Sequence, residues 1–271
     1  MTPSERRLIA ALTIVVVGAT LLLPPAANAQ AESGIPVGFV ESTGDIDTAT
    51  GDGWADIQTA TVPLSSAGAA VPNANDVTVE EVEVAAARTN RRLYLRASWA
   101  DPSQDTSADS VRSFADNMAV QLPTTGDDQP PIAMGGPDNP VNVWYWSASG
   151  DSEELQASGP GSTTPFAEST VTTDQSYADG RWHVLFSRPL DPAGDGRTTI
   201  PRDSADMDVA FAVWNGSNAE VAGQKSVSQW QRLAVSSGPP TYQRLLWAVA
   251  GVLIVVTTLV TIEGLRRTGG E

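Results

Sequence analysis

The stretch Val77-Thr78-Val79-Glu80-Glu81-Val82-Glu83-Val84-Ala85-Ala86-Ala87 decides the fold. Val77, Val79, Val82 and Val84 alternate with Thr and Glu, a strand with one buried face. Thr89-Asn90-Arg91 then breaks the pattern, and Leu93 to Trp99 resumes it. Two extended runs across a short polar turn predict a hairpin. Further runs of this kind are Ala115 to Leu122, Val141 to Ser147, Trp182 to Phe186, Val209 to Trp214 and Gln229 to Val235. Gly, Pro, Asn and Asp clusters separate them. There is no internal repeat and no long amphipathic helix. The pattern predicts an all-β domain, an antiparallel β-sandwich. Asp101 to Ser113, Pro123 to Pro140 and Asp151 to Asp179 read as polar loops.

The ends of the chain read differently. Arg6 and Arg7 precede an uncharged apolar run, Leu8 to Leu23, and Ala27-Asn28-Ala29 fits a small-residue cleavage site. This predicts an export signal over residues 1–29, with Gln30 as the first mature residue. Ser4-Glu5-Arg6-Arg7-Leu8-Ile9 is a partial match to the twin-arginine export motif. Leu245 to Leu265 spans 21 residues with one charge, Glu263. That meets the roughly 20 residues a bilayer core requires. Arg266 and Arg267 follow, which puts the C-terminus on the cytoplasmic side. Residues 242–271 are therefore expected to anchor a single-pass protein. Residues 30–241 would form an extracytoplasmic domain.

The charge lies in that domain. The chain of 271 residues has a net charge of −16. Residues 30–241 hold 29 acidic and 11 basic residues, a net charge of −18. Such a surface repels nucleic acid. The 16 basic residues are 15 Arg and one Lys, Lys225. Carboxylate excess with Arg in place of Lys points to a halophilic source. The absence of Cys excludes disulfides, iron–sulfur clusters and covalently attached c-type haem. One His, His183, excludes a multi-histidine zinc or copper site. His183 lies inside a strand pattern, where a structural role is the commoner one. Asn215-Gly216-Ser217 reads as a glycosylation acceptor or equally as a turn.

Two segments combine Gly-rich loops with Trp-bearing strands. The first runs from Pro130 through Met134-Gly135-Gly136 to Trp144-Tyr145-Trp146. The second runs from Phe211 through Trp214-Asn215-Gly216 to Lys225 and Trp230. Met134 offers a thioether, a soft ligand suited to haem iron. Lys225 offers an amine, which ligates only when neutral, and burial in an apolar pocket favours that form. By themselves these residues are weak signals: a Met in a loop is usually packing, and a Lys is usually a solvated surface charge.

Six stretches in order carry a resemblance. They are Trp54 with Pro63-Leu64, Leu93 to Pro102, Phe114 to Pro123, Met134-Gly135 with Pro140 to Trp144, Gly180 to Leu190, and Phe211 to Gly216 continuing to Lys225-Ser226-Val227-Ser228. Together they resemble the haem b-binding γ subunits of type II dimethyl-sulfoxide-reductase-family molybdoenzymes, such as ethylbenzene and dimethyl sulfide dehydrogenases. The resemblance implies a non-catalytic electron-transfer subunit with one b-type haem. Its partners would be a molybdopterin catalytic subunit, an iron–sulfur subunit and a membrane or extracytoplasmic redox partner. Met134 and Lys225 would be the axial ligands, with Met118 and His183 as alternatives and Met207 less suited. Trp144, Trp146 and Trp214 would line the pocket, and Arg96 or Arg188 could face the propionates. A single surviving Lys then has a chemical reason, because Arg cannot supply a neutral nitrogen. The anchor departs from the soluble members of that family. It suggests a tethered complex, such as an outward-facing nitrate reductase. The competing reading is a cell-surface carbohydrate-binding β-sandwich, which requires exposed Trp on one face.

Overall fold

The computed structural model describes residues 34–107, 113–124, 129–150, 152–201 and 206–235. The expected signal over 1–29 and anchor over 242–271 lie outside the described residues. Among the described residues no helix is long and apolar enough to cross a membrane.

The strands are β1 (Gly34–Phe39), β2 (Thr59–Pro63), β3 (Ser65–Ser66), β4 (Glu81–Arg88), β5 (Arg92–Ala100), β6 (Asn117–Pro123) and β7 (Val141–Ser147). They continue as β8 (Ser152–Ala157), β9 (Thr163–Pro165), β10 (Thr172–Ala178), β11 (Arg181–Pro189), β12 (Met207–Trp214), β13 (Ser226–Val227) and β14 (Gln231–Val235). A 3-10 turn, Asp52–Asp56, is the helical element among the described residues.

The hairpin predicted around Thr89 is present as β4–β5, with Arg88 opposite Leu93. Thr89 makes the turn: its N–H donates to the Arg92 carbonyl at 2.9 Å, and its Oγ1 accepts the amides of Arg91 and Arg92. The strand starts later than its pattern suggests. Val77 to Glu80 precede it, because Thr78 is held by the Glu220 side chain instead of a neighbouring strand.

The strands form one path, β10-β11-β5-β4-β1-β14-β12-β6-β7-β8-β9. The path curls so that its two arms face each other across a shared core. Val84, Leu95, Trp99, Trp182 and Phe186 of one arm pack in one cluster with Met118, Val120, Trp144, Trp146, Phe211 and Val213 of the other. The all-β reading therefore holds, but two features depart from a purely antiparallel sandwich. The arms belong to one continuous sheet, and β1 runs parallel to both β14 and β4. β1 is Gly34-Ile-Pro-Val-Gly-Phe39, and its two Gly and one Pro hide a strand that buries Ile35 and Val37.

The second correction concerns Asp151 to Asp179, expected as a loop. It contains β8, β9 and β10. β10 is an outer strand that exposes most of Thr172-Thr-Asp-Gln-Ser-Tyr-Ala178, so no apolar face marks it. β8 buries a carboxylate, Glu154, between Arg188 and Arg197. A buried charged residue reads as a loop residue in sequence.

Candidate functional site

Alternation along β6, β7 and β12 gives this arm two different faces. Met118, Val120, Leu122, Trp144, Trp146, Phe211 and Val213 point into the core. Ala119, Val141, Val143 and Ala157 belong to a separate cluster with half-buried Met134, Tyr145, Leu155, Ala212, Trp214 and Trp230. Ala119 and Ala212 are a cross-strand pair, and Tyr145 stands on the other side of Ala119. The result is an apolar floor of small side chains over β12, β6, β7 and β8. At a strand spacing near 4.8 Å it is roughly 14 Å wide.

Met134 reaches this floor from the loop between β6 and β7. Its φ is +64°, followed by Gly135 at +70°. A left-handed Met costs about 1 kcal/mol, so the surroundings must enforce it. Met134 N–H donates to the Ile132 carbonyl, and Gly135 N–H to that of Pro131, both at 2.9 Å. The Met134 carbonyl accepts from Gly159 N–H at 2.8 Å. The indole of Trp230 donates to the Pro130 carbonyl at 3.0 Å, and Gln121 Nε2 to that of Ile132 at 3.2 Å. Gly135 is required here, since a Cβ would lie 2.7 Å from the Asn139 carbonyl oxygen.

Lys225 comes from the loop between β12 and β13. Its carbonyl accepts from Ala67 N–H at 3.1 Å, and the next residue, Ser226, pairs with Ser66. Its Nζ lies 4.8 Å from the ring centroid of Trp214. Among the described residues Nζ has no ion pair and no hydrogen bond. Burial lowers the pKa of this amine, and no anion works to raise it. Trp214 is itself held by its indole N–H on the Ala222 carbonyl at 3.2 Å and by Tyr145, edge-on at 6.1 Å. Tyr145 OH donates to Asn117 Oδ1 at 2.6 Å.

Met134 and Lys225, far apart in the chain, thus meet the same apolar cluster, Met134 packing within it and Lys225 resting on its Trp214. Trp214 alone of the three Trp expected around a pocket lies on this face. Trp144 and Trp146 point into the core, because they share the parity of buried Asn142. Tyr145, Trp230, Ala119 and Ala212 are the floor residues that sequence reading missed. The alternation of β7 could have placed Tyr145 opposite its two Trp neighbours. Met118 is buried in the core, between Trp146 and Val213. Met207 packs half-buried against the same core.

His183 lies on the outer side of the other arm. Its Nδ1 sits 2.7 Å from Ser98 Oγ and 3.0 Å from Arg96 Nη2. Arg96 can only donate, so Nδ1 accepts and the ring is neutral with its proton on Nε2. Burial, then the charges of Arg96 and Arg181, lower its pKa. Arg96 also donates to the Ala49 carbonyl, and Arg188 is buried against Asn142, Glu154 and the ring of Trp144. Neither guanidinium faces the floor. Asn215 is buried, with Oδ1 accepting from Ser217 Oγ and Asn218 N–H, so it serves as a turn.

The family model described as ethylbenzene dehydrogenase matches residues 51–168 and 159–226. The chain belongs to the ethylbenzene dehydrogenase family. Both candidate loops lie within the matched region. This family member is 43% identical, over 99% of both chains, to a protein of Haloferax mediterranei described as a respiratory nitrate reductase heme subunit (ORF7). It is 38% identical to the dimethylsulfide dehydrogenase subunit gamma of Rhodovulum sulfidophilum, over 55% of this chain and 58% of that one. It is 32% identical to the chlorate reductase subunit gamma of Ideonella dechloratans, over 57% of this chain and 64% of that one. Among solved structures, a family 9 carbohydrate-binding module from Caldicellulosiruptor kristjanssonii superposes with a TM-score of 0.43 at 12% identity. That superposition covers 76% of this chain and 99% of the module.

Proposed function

We propose that this chain is an electron-transfer subunit that holds one b-type haem on the floor of β12, β6, β7 and β8, with Met134 and Lys225 as axial ligands. The observation that carries the reading is the convergence of these two side chains on one apolar face that also bears Trp214. The donor set fits the group. A thioether and an amine are both competent ligands for haem iron, and this amine has no competing partner among the described residues. The Ala119–Ala212 pair presents only methyl groups at the centre of the floor. When bound, the iron would supply one-electron exchange between two valences. The chain's own residues would bind and orient: the Met134 loop is locked by Trp230 and Gln121, and Trp214 keeps the Lys225 stem over the floor. No catalytic step belongs to this subunit.

The relatives are described as heme and gamma subunits of a nitrate reductase, a dimethylsulfide dehydrogenase and a chlorate reductase, which supports a place in an oxidoreductase complex; in this reading its partners are a molybdopterin catalytic subunit and an iron–sulfur subunit. The signal and anchor patterns support an extracytoplasmic domain tethered by one C-terminal span. There it would exchange electrons with a membrane or extracytoplasmic partner. The carbohydrate-binding reading needs an exposed Trp platform. Among the seven described Trp, five are buried, and Trp214 and Trp230 are half-buried. A visible spectrum of the full chain, folded in molar salt with haem, tests the proposal. Sharp low-spin b-type bands in oxidised and dithionite-reduced states are expected. A folded protein that leaves haem free refutes it.

A further inference from the structure

We infer that Glu220 is the positioning residue for Lys225. The inference rests on Lys225 being a ligand, and it identifies what holds that ligand in place. The connection from Asn215 to Lys225 is rich in Gly, Asn and Ala, and carries two left-handed alanines, Ala219 at φ +55° and Ala222 at +53°. Such a segment does not hold its shape through local preference. Glu220 supplies the shape. Its carboxylate is fully buried and has no cation partner among the described residues. Oε1 accepts from Thr78 N–H at 3.0 Å, Thr78 Oγ1 at 3.2 Å and Asn218 Nδ2 at 3.1 Å. Oε2 accepts from Asn215 N–H at 3.0 Å.

The carboxylate therefore ties the start of the loop to the stretch from Ser65 to Glu80. That same stretch holds the end of the loop. Ala67 N–H donates to the Lys225 carbonyl at 3.1 Å, and Gln224 Nε2 to the Asp76 carbonyl at 2.9 Å. Glu220 and Lys225 thus grip one strap from two ends. A second buried carboxylate, Asp116, steadies the entry by accepting Gly216 N–H at 2.8 Å. Four donors converge on Glu220, and only a carboxylate has acceptor sites for all of them on both oxygens. Glutamine would turn an NH2 against either Thr78 or Asn215.

The test compares wild type with E220Q and K225L as full chains. Each is loaded with haem and titrated with imidazole as an external nitrogen ligand. E220Q is expected to retain haem and to lose part of the low-spin signature. It should take imidazole at about tenfold lower concentration than wild type, approaching K225L. In the haem-free proteins, E220Q should exchange the amides of 66–78 and 215–226 about tenfold faster, with β6 and β7 unchanged. A wild-type spectrum and imidazole response in E220Q overturn the inference, even if that variant melts earlier. If wild type itself takes no haem, the ligand reading has failed. The exchange data then decide the clamp, and unchanged amides at 215–226 overturn it. Thr78→Val, which deletes one donor, gives the same comparison with a smaller shift if E220Q does not fold.

Discussion

Lys225→Met separates a ligand from an ordinary surface lysine. In the haem-free protein the Lys225 ammonium has one favourable contact, the face of Trp214 at 4.8 Å. A partly desolvated cation–π contact is worth about 0.5–1 kcal/mol. Against it stands the removal of an unpaired ammonium from water. That costs several kcal/mol when burial is complete, and about 2 kcal/mol is a fair share for a half-buried group. Methionine has a stem of similar length, no charge, and an apolar fit to Trp214. Lys225→Met should therefore stabilise the haem-free protein by about 1 kcal/mol. With a urea m-value near 2 kcal/mol/M for a domain of this size, the midpoint rises by about 0.5 M. The pH dependence has a definite sign. Burial lowers the amine's pKa in the folded state, so the unfolded chain binds more protons between the folded and unfolded pKa values. Wild-type stability then rises with pH through that window, and the difference from Lys225→Met shrinks. Urea unfolding of both haem-free proteins, at neutral pH and near pH 10, measures this. A lower midpoint for Lys225→Met would refute the reasoning, since it would mean that the amine makes stabilising contacts.

Three further outcomes follow from the geometry. Ala119 is buried, so Ala119→Leu should overpack the floor beside Ala212, cost about 1–3 kcal/mol in urea unfolding and weaken haem uptake at least about tenfold; unaltered uptake in a haem titration would count against the floor as the site. Asp101 is buried, Oδ2 has no partner, and burial pushes its pKa up from 3.8 to about 6. The folded state therefore holds its proton more tightly, and this contribution is lost as pH rises from about 4 to about 6. Asp101→Asn should be more stable than wild type near pH 8 by about 1–3 kcal/mol, and a lower melting temperature there would contradict this. Glu154→Ala leaves Arg188 without its anion in a dry interior and should cost about 3–5 kcal/mol in urea unfolding. A change below about 1 kcal/mol would show that the pair is not buried as described.

How much was legible depended on whether a strand had one polar face. β4, β5 and β7 alternate or run apolar between turn residues, and their positions follow from the pattern. β8 and β10 are written in Glu, Gln, Thr and Ser because they lie toward the ends of the path, so composition hid them. β1 was hidden by Gly34, Pro36 and Gly38. The two candidate loops stood out through rarity, a lone Lys and a Met within a Pro- and Gly-rich run. The pocket did not stand out in the same way. On β7 both faces are apolar, Val141, Val143 and Tyr145 on one and Trp144 and Trp146 on the other. The polar residue on the second face, Asn142, is buried, because Arg188 donates to it at 2.7 Å. Parity could be read from the sequence; which parity faced the core could not.

The distribution of strain supplies an argument independent of the relatives. Among the described residues five non-glycine positions have positive φ: Asn73, Met134, Asp179, Ala219 and Ala222. Asn and Asp adopt the left-handed region readily, and Asp179-Gly180 makes the turn from β10 to β11. The remaining three residues are of types that avoid it, and all three lie in the two loops that carry Met134 and Lys225. The same loops hold the unpaired amine and, in Glu220, a buried carboxylate bound by dipoles alone. Asp101 and Asp116 are buried without a cation among the described residues as well, whereas Arg188 and Arg197 are matched by Glu154. A fold optimised only for stability would not gather its unfavourable backbone at two ends of one apolar floor. Strain placed in this way is what a site must carry when two side chains have to be held ready for a ligand that repays them.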